Sequence, residues 1–554
     1  MIDLESITKL LQFSPLPHLL QLHSSLLKSG HLSDSFLSSK LIAAASLLDV
    51  PYAHSLLSLN SPPPLFAFNS LLFAHSLSLS PRSLPSTFSL FRSLLRRLDL
   101  SPDRFSFVAA FKSCARARAL SPGRQLHSLA LRTPHYHFLN LRNSLLHLYS
   151  SCGDISGARQ VFDEMPHVRD PVSWSTLIHG YSSNSYPPRR VASLFSCMLR
   201  DGFQPNATAL LSLLWTMSHS SAAEPAHGYC VRTGHLSDVK VATALSAAYV
   251  RCGCLDSARR VFEEAGGRDV VLYNCMVDGY AKGGFLEECL ALLRRMRSEG
   301  VRPNATTFVG LVSACASSGA LVVGRRMVRL VREENLDLDA ALGTAVLDMY
   351  VKCGCIEEAA EVFGGMNDRD VRAWTAMIMG LGVHGRVGDA LEVFHEMEED
   401  ESVVPNEVTF LAVLNACSHG GLVDAGRGCF ERMVREYGIT PGIEHYGCVI
   451  DLLGRAGLLE EAYLLINSLP TKGDAMAWRA LLAACRVYGD VRHAELARQA
   501  LVDLGDKHPT DSILLSSTYL MSGRRMDVAK FRDLEGEGMM DKKVAGCSVI
   551  EVNG

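Results

Sequence analysis

Between residues 270 and 304 the chain reads VVLYNCMVDGYAKGGFLEECLALLRRMRSEGVRPN, and its apolar positions fall into two runs of helical spacing. Tyr273, Met276, Val277 and Tyr280 recur at three- and four-residue intervals, and so do Leu286, Cys289, Leu290, Leu293 and Met296. Each run therefore gathers one buriable face. Gly283 and Gly284 interrupt the pattern between them. Gly300 after the last apolar turn and Pro303 just beyond it stand in the order expected of a helix stop. The pattern predicts two helices joined by a tight turn, with the next pair following directly.

This repeat, about 35 residues long, recurs along most of the chain, so the expected fold is an all-α stack of helix-turn-helix repeats sharing one continuous core. Three variants alternate. One recurs as FAFNSLLFAHS from Phe66, VSWSTLIHGYS from Val172 and RAWTAMIMGLG from Arg372. A longer one carries FVAAFKSCARARALSPGRQLH from Phe107, FVGLVSACASSGALVVGRRM from Phe308 and FLAVLNACSHGGLVDAGRGCF from Phe410. The most compact starts at Asn143, Thr243 and Thr344. In its second helix Ala158, Val161, Phe162 and Met165 form a core stripe, matched by Ala258, Val261 and Phe262 and by Ala359, Val362, Phe363 and Met366. Asp154, Asp256 and Glu357 suit the positive start of that helix. Two repeats break the pattern: one holds Pro81 and Pro85, which do not suit a helix interior, and one holds Pro187 and Pro188 where a helix should start. Both are expected to be locally loose.

Composition changes this picture little. The chain has 554 residues, 48% of them hydrophobic, and a net charge of −4, unlike a basic protein that coats DNA through its phosphates. Charge is uneven: basic residues outnumber acids from Arg82 to Arg132, and Arg294, Arg295, Arg297, Arg302, Arg325, Arg326, Arg329 and Arg332 form a second zone. Solvated helix faces and phosphate contact both fit these zones. Most of the 16 cysteines follow the repeat, with Cys152, Cys252 and Cys353 before glycines and Cys114, Cys315 and Cys417 in another matching slot. They read as packing residues of a reduced compartment, with no metal site expected, because the candidate ligands recur one repeat apart rather than converging. No apolar run has membrane-spanning length, so no membrane partner is expected. The opening MIDLESITKLLQF carries Asp3 and Glu5 and no arginine precedes Arg82, so a transit peptide is not evident.

The repeats resemble those of plant organellar pentatricopeptide repeat (PPR) proteins, of the PLS subfamily with alternating long, short and standard repeats. The most specific match is C-terminal, in IEHYGCVIDLLGRAGLLEEA, AWRALLAACRVYGD and GCSVIEVNG, which are similar to the family's terminal repeats and E extension. The resemblance implies a right-handed superhelical solenoid. It divides the chain into degenerate N-terminal repeats (1–64), the PPR array (65–474), E-type repeats (475–543) and a short, extended tail (544–554). It also implies single-stranded organellar RNA as the partner, one unstacked base per repeat being read by two or three side chains. In the family the readers are the fifth and last residues of a repeat. Here these are Asn69 with Asp103, Asn143 with Asp170, Ser175 with Asn206, Thr243 with Asp269, Asn274 with Asn304, Thr344 with Asp370, and Thr375 with Asn406. All are short and polar. Capping explains Asp or Asn at the last position, but a polar fifth residue inside an apolar helix has no such structural reason. The long repeats place Val108, Leu211, Val309 and Leu411 there, and these are expected to space or pack. By the family's pairing rules the RNA is U-n-U-A-n-G-Y-n-G-A-n-n, 5′ to 3′, with the position of Gly447 and Asp474 left blank.

No catalytic residue or cofactor is expected. A cytidine deaminase needs H-x-E followed by P-C-x-x-C; His493 and Glu495 supply the first half, but Cys547 alone follows them. The resemblance therefore implies a site-recognition factor for C-to-U editing that recruits a DYW-type cytidine deaminase, or other editing factors, through its E region. Two alternatives stand beside it: a factor for organellar RNA splicing, stability or translation, and a protein-binding scaffold like the tetratricopeptide arrays. The expected location is the mitochondrion, with the chloroplast as the alternative.

Overall fold

The computed structural model describes residues 15–524 except 60–62, 79–82, 98, 166–167, 218–219, 470–473 and 507. Among the described residues there are thirty α-helices, three short 3₁₀ turns and no strand, as the periodicity predicts. The opening segment, Pro81, the tail and residues 525–543 of the segment expected to be E-type lie outside them.

The chain forms two compact bodies, residues 1–268 and 269–554. In each, a first helix packs against its own second helix and against the first helix of the next repeat. The pattern of residues 270–304 becomes helices Val270–Lys282 and Leu286–Ser298. Gly284 makes the turn between them with φ +77°, a left-handed conformation that a side chain would strain. Tyr273, Met276, Val277, Cys289, Leu293 and Met296 are all buried, as are the Ala158/Phe162 and Ala258/Phe262 stripes. Close approach between repeats needs glycine at particular sites. A Cβ on Gly380 would stand 2.6 Å from Val351 Cγ2, so the first helices of these repeats meet at that point only because no side chain is present.

The irregular repeats are more orderly than their prolines suggest. Pro85 is the third residue of helix Ser83–Leu95 and Pro188 the first of helix Pro188–Arg200. Both fall in the first turn, where the missing N–H has no intrahelical partner to lose. Beyond residue 474 the chain continues as helices, Ala475–Tyr488, Val491–Asp503 and Pro509–Met521. Arg479 ties the first of these to the last through Asp511 at 2.9 Å, and to the connection before it through Asp506 at 3.0 Å. No helix among the described residues is long and apolar enough to cross a membrane.

Candidate nucleic-acid interface

The last residue of each repeat has a defined local duty. Asp103, Asp170, Asn206, Asp269, Asn304, Asp370 and Asn406 are the N-caps of the following first helices, each accepting a backbone N–H three residues on. That bond satisfies one of the four orphan donors at a helix start. It also anchors a short polar side chain at the mouth of the helix.

The fifth residue of the preceding first helix meets this cap. Asn69 Nδ2 donates to Asp103 Oδ1 at 3.0 Å and Asn143 Nδ2 to Asp170 Oδ1 at 3.2 Å. Asn274 Nδ2 donates to Asn304 Oδ1 at 3.0 Å, and Asn206 Nδ2 to Ser175 Oγ at 3.2 Å. Residues about thirty positions apart are thus joined side chain to side chain at four repeats. Thr375 reaches Asn406 through Thr409, whose hydroxyl lies 2.9 Å from Thr375 Oγ1 and 3.1 Å from Asn406 Oδ1. Thr344 instead donates to Ala340 O at 2.6 Å while Asp370 caps its own helix. Thr243 donates to Val239 O at 2.7 Å in the first body, and Asp269 opens the second.

These differences set what each pair offers a ligand. A carboxamide carries two N–H donors and two carbonyl lone pairs; the fifth-position asparagines use part of each and keep both kinds of group at a half-buried surface. Thr344 has used its single hydroxyl hydrogen on its own helix, so with Asp370 it offers acceptors. Ser175 and Thr375 are only 3% and 8% exposed, which leaves Asn206 and Asn406 as the more accessible members of their pairs. At the C-terminal end Gly447 contributes no side chain. A cavity of about 640 Å³ opens there, lined by Asn415, Ile443, Gly447, Asp451, Asp474 and Met476 among others.

One recurring feature escapes sequence reasoning. The second residue of several first helices is a large apolar side chain about half exposed: Phe66, Phe105, Val172, Val271 and Val408. Each lies three residues before a fifth position, within one helical turn of it. Val108, Leu211, Val309 and Leu411 of the long repeats are also only partly buried, so they contribute apolar surface at the fifth position. An apolar residue in an amphipathic run reads as core; the available signal was that these second positions fall outside the buried stripe.

The other chemistry singled out in the sequence is structural. Arg297 and Arg325 of the second basic zone pair with Glu334 and Glu358 of neighbouring second helices, at 2.8 and 2.5 Å, which neutralises part of that zone. His493 is buried, with Nδ1 2.7 Å from Asp490 and Nε2 3.0 Å from Glu460, so both ring nitrogens are engaged. Glu495 accepts a hydrogen bond from Tyr519. The H-x-E match is a packing element. Cys114, Cys315 and Cys417 are fully buried thiols, while Cys152, Cys252 and Cys353, at helix ends, are only partly so.

Comparison with known proteins gives a consistent result. Residues 268–317 and 369–419 match the PPR repeat family, and residues 142–167, 172–203, 241–270, 344–371, 408–437 and 444–474 match the PPR repeat. The chain is 47% identical over 536 residues to the Arabidopsis thaliana pentatricopeptide repeat-containing protein At1g26900, mitochondrial, across 96% of this chain and 92% of that one. It is 34% identical to At2g22410, mitochondrial, and 32% identical to At1g08070, chloroplastic, both from Arabidopsis thaliana. The alignments span 97% and 96% of this chain and 84% and 76% of theirs. In structure it is similar to the pentatricopeptide repeat protein PPR10 from maize, with a TM-score of 0.61 and 17% identity over 96% of this chain and 79% of that one. PPR10 in complex with an 18-nt psaJ RNA element gives a TM-score of 0.64 at 16% identity, over 96% and 78%. Those likenesses establish the solenoid repeat fold.

Proposed function

Because this chain belongs to the pentatricopeptide repeat family, we propose that it is a sequence-specific single-stranded RNA-binding factor that directs C-to-U editing of one or a few organellar transcripts. The observation that carries the reading is the direct bonding of fifth to last side chains at four repeats. Capping alone requires the last residue, not its partner. Base edges need short polar groups of fixed donor and acceptor order, and stacking needs apolar surfaces beside them. The half-exposed Phe66, Phe105, Val172, Val271 and Val408 supply those surfaces.

The chemistry of individual pairs supports the base assignments. Thr344 with Asp370 offers acceptors, which suit the N–H groups of guanine's Watson–Crick edge. Asn206 and Asn406 keep amide donors and acceptors together, which suits adenine's ring nitrogen and amino group. Asn69 and Asn143, each bonded to an aspartate, fit uracil, and Asn274 with Asn304 fits a pyrimidine. The reading places Thr243 with Asp269 on guanine as well. The predicted site is U-n-U-A-n-G-Y-n-G-A-n-n, with the edited cytidine a few nucleotides 3′ of the last base read.

The chain is read as an E-type PLS member, with the array in 65–474 and the E-type repeats in 475–543. The deaminase, a DYW-type protein, then acts in trans through the E region. The mitochondrial relatives favour the mitochondrion. The test is sequencing of both organellar transcriptomes from a loss-of-function line. Loss of editing at one or a few cytidines preceded by this sequence supports the reading. Intact editing with altered splicing or a missing transcript would refute the editing role and leave RNA binding in place.

A further inference from the structure

The fifth-position asparagines are each held by a second bond that the two-residue reading does not contain. Ser106 Oγ donates to Asn69 Oδ1 at 2.6 Å, Ser173 Oγ to Asn143 Oδ1 at 2.7 Å and Thr307 Oγ1 to Asn274 Oδ1 at 2.6 Å. All three hydroxyls belong to the third residue of the following repeat, and all three residues are fully buried. Their oxygens also accept the cap's backbone N–H, from Asp103, Asp170 and Asn304. A hydroxyl has one hydrogen to give. At Ser106 and Thr307 the alternative acceptor, the cap's own Oδ1, is 3.1 Å away, so the shorter contact to the asparagine carbonyl takes it. At Ser173 the two acceptors are equally near, at 2.7 Å.

The residue types vary together at six of the seven pairs; the exception is Thr375, which is followed by the hydroxyl of Thr409. Where the third residue is Ala209, Leu272 or Ala373, the preceding fifth residue is Ser175, Thr243 or Thr344, not asparagine. Those hydroxyls satisfy themselves on a carbonyl of their own helix, at Val172, Val239 and Ala340. A carboxamide has a donor end and an acceptor end, and takes one orientation only when both have partners.

We propose that Ser106 and Ser173 are specificity-positioning residues, which fix the carboxamide planes of Asn69 and Asn143 so that these asparagines separate uracil from cytosine. The inference rests on the base-reading function proposed above. Uracil carries N–H at ring position 3 and a carbonyl at position 4; cytosine carries a bare nitrogen and an amino group there, the reverse order of donor and acceptor. A reader distinguishes them only if its own donor and acceptor cannot exchange places. The bond from Nδ2 to the aspartate alone leaves the amide a pivot. The bond from the buried hydroxyl to Oδ1 fixes the second atom and with it the plane.

The test measures binding of the full chain to the synthetic RNA 5′-UAUAAGUAGAAA-3′ and to the same RNA with cytosine at the third base, which faces Asn143. The unaltered chain is expected to prefer uracil. Ser173→Ala is expected to reduce the uracil-to-cytosine affinity ratio roughly tenfold while leaving the guanine preference at the ninth base, facing Thr344, unchanged. Ser173→Thr keeps the hydroxyl and is expected to keep the ratio. Ser106→Ala provides an independent site, where the ratio should fall at the first base and not at the third. A uracil preference that survives both alanine variants would overturn the positioning role alone. Absence of any base preference in the unaltered chain would overturn the base-reading function, and this role with it.

Discussion

Thr344 and Asp370 offer a way to rewrite one base of the predicted site. In the native chain the Thr344 hydroxyl hydrogen goes to Ala340 O at 2.6 Å, and Asp370 Oδ1 accepts from the Ala373 N–H at 2.9 Å, so the pair presents acceptors, as the proposed guanine contact requires. Thr344→Asn together with Ala373→Ser reproduces the set seen at Asn143, Asp170 and Ser173. The introduced amide should donate to Asp370 at the 3.0–3.2 Å observed at Asn69 and Asn143. Ala373 is fully buried, as are Ser106 and Ser173 at the same place in their repeats, so the added hydroxyl meets an environment the fold already accepts. Asparagine and threonine have similar helix propensities, so the first helix should be unaffected. Exchanging the contacts to one base edge is worth about 1–3 kcal/mol, or roughly 5- to 150-fold in the ratio of guanine to uracil affinity. Thr344→Asn alone, without the orienting hydroxyl, should give the lower end of that range. Fluorescence anisotropy at fixed salt, with each of the four bases at the ninth position of the twelve-nucleotide RNA, reads the change. An unaltered guanine preference in the double variant would refute the pairing of Thr344 with Asp370, and so would a change at the third or tenth base instead.

Other expectations concern the scaffold. Arg479→Met strands the Asp511 carboxylate, whose side chain is 1% exposed, at a cost of about 3 kcal/mol. Hydrogen exchange in helix Pro509–Met521 should accelerate accordingly, and unchanged protection would refute the tie. His54 and His75 share an Nε2–Nε2 hydrogen bond of 2.8 Å, and burial holds both below the usual value of 6.5, with His54 further lowering His75. A depressed folded-state pKa means the neutral pair stabilises above 6.5 and is lost as pH falls through the folded value. Exchange protection in helices Val50–Leu59 and Leu65–Leu77 should therefore drop in mild acid, whereas a pH-independent profile would contradict the pairing. Burial pushes the thiols of Cys114, Cys289, Cys315 and Cys485 up to about 12, so at pH 8 the native chain should leave them unalkylated until it is denatured. Rapid labelling of any of these four in the folded protein would show that its packing is open.

Local periodicity made the helix pairs legible, because three- and four-residue spacing and paired glycines act within one repeat. Helices Val270–Lys282 and Leu286–Ser298 stop where Gly283 and Gly300 stand. The caps were legible too, since Asp and Asn before an apolar run have a local reason to be there. What the chain hides is the contact made one repeat away. Ser106 reads as the partner in a capping box with Asp103, and nothing within its own helix points to Asn69, 37 residues upstream. Arg297 and Arg325 read as solvated or phosphate-contacting residues until the second helices stack and bring Glu334 and Glu358 beside them. Phe105 and Val271 stand outside the buried stripes of their helices and lie about half exposed, a role that periodicity alone does not reveal. The division at residues 268 and 269 has no signal, since the repeat pattern runs through it without a change of composition.

Selection of RNA from a pool randomised over twelve positions, with the purified full chain as bait, tests the central claim most directly. Enrichment of U-n-U-A-n-G-Y-n-G-A, with no preference at the second, fifth and eighth positions that face Val108, Leu211 and Val309, is the expected result. A pool that stays unenriched, or one enriched at those three positions and random at the others, would contradict base reading by the fifth and last residues of each repeat.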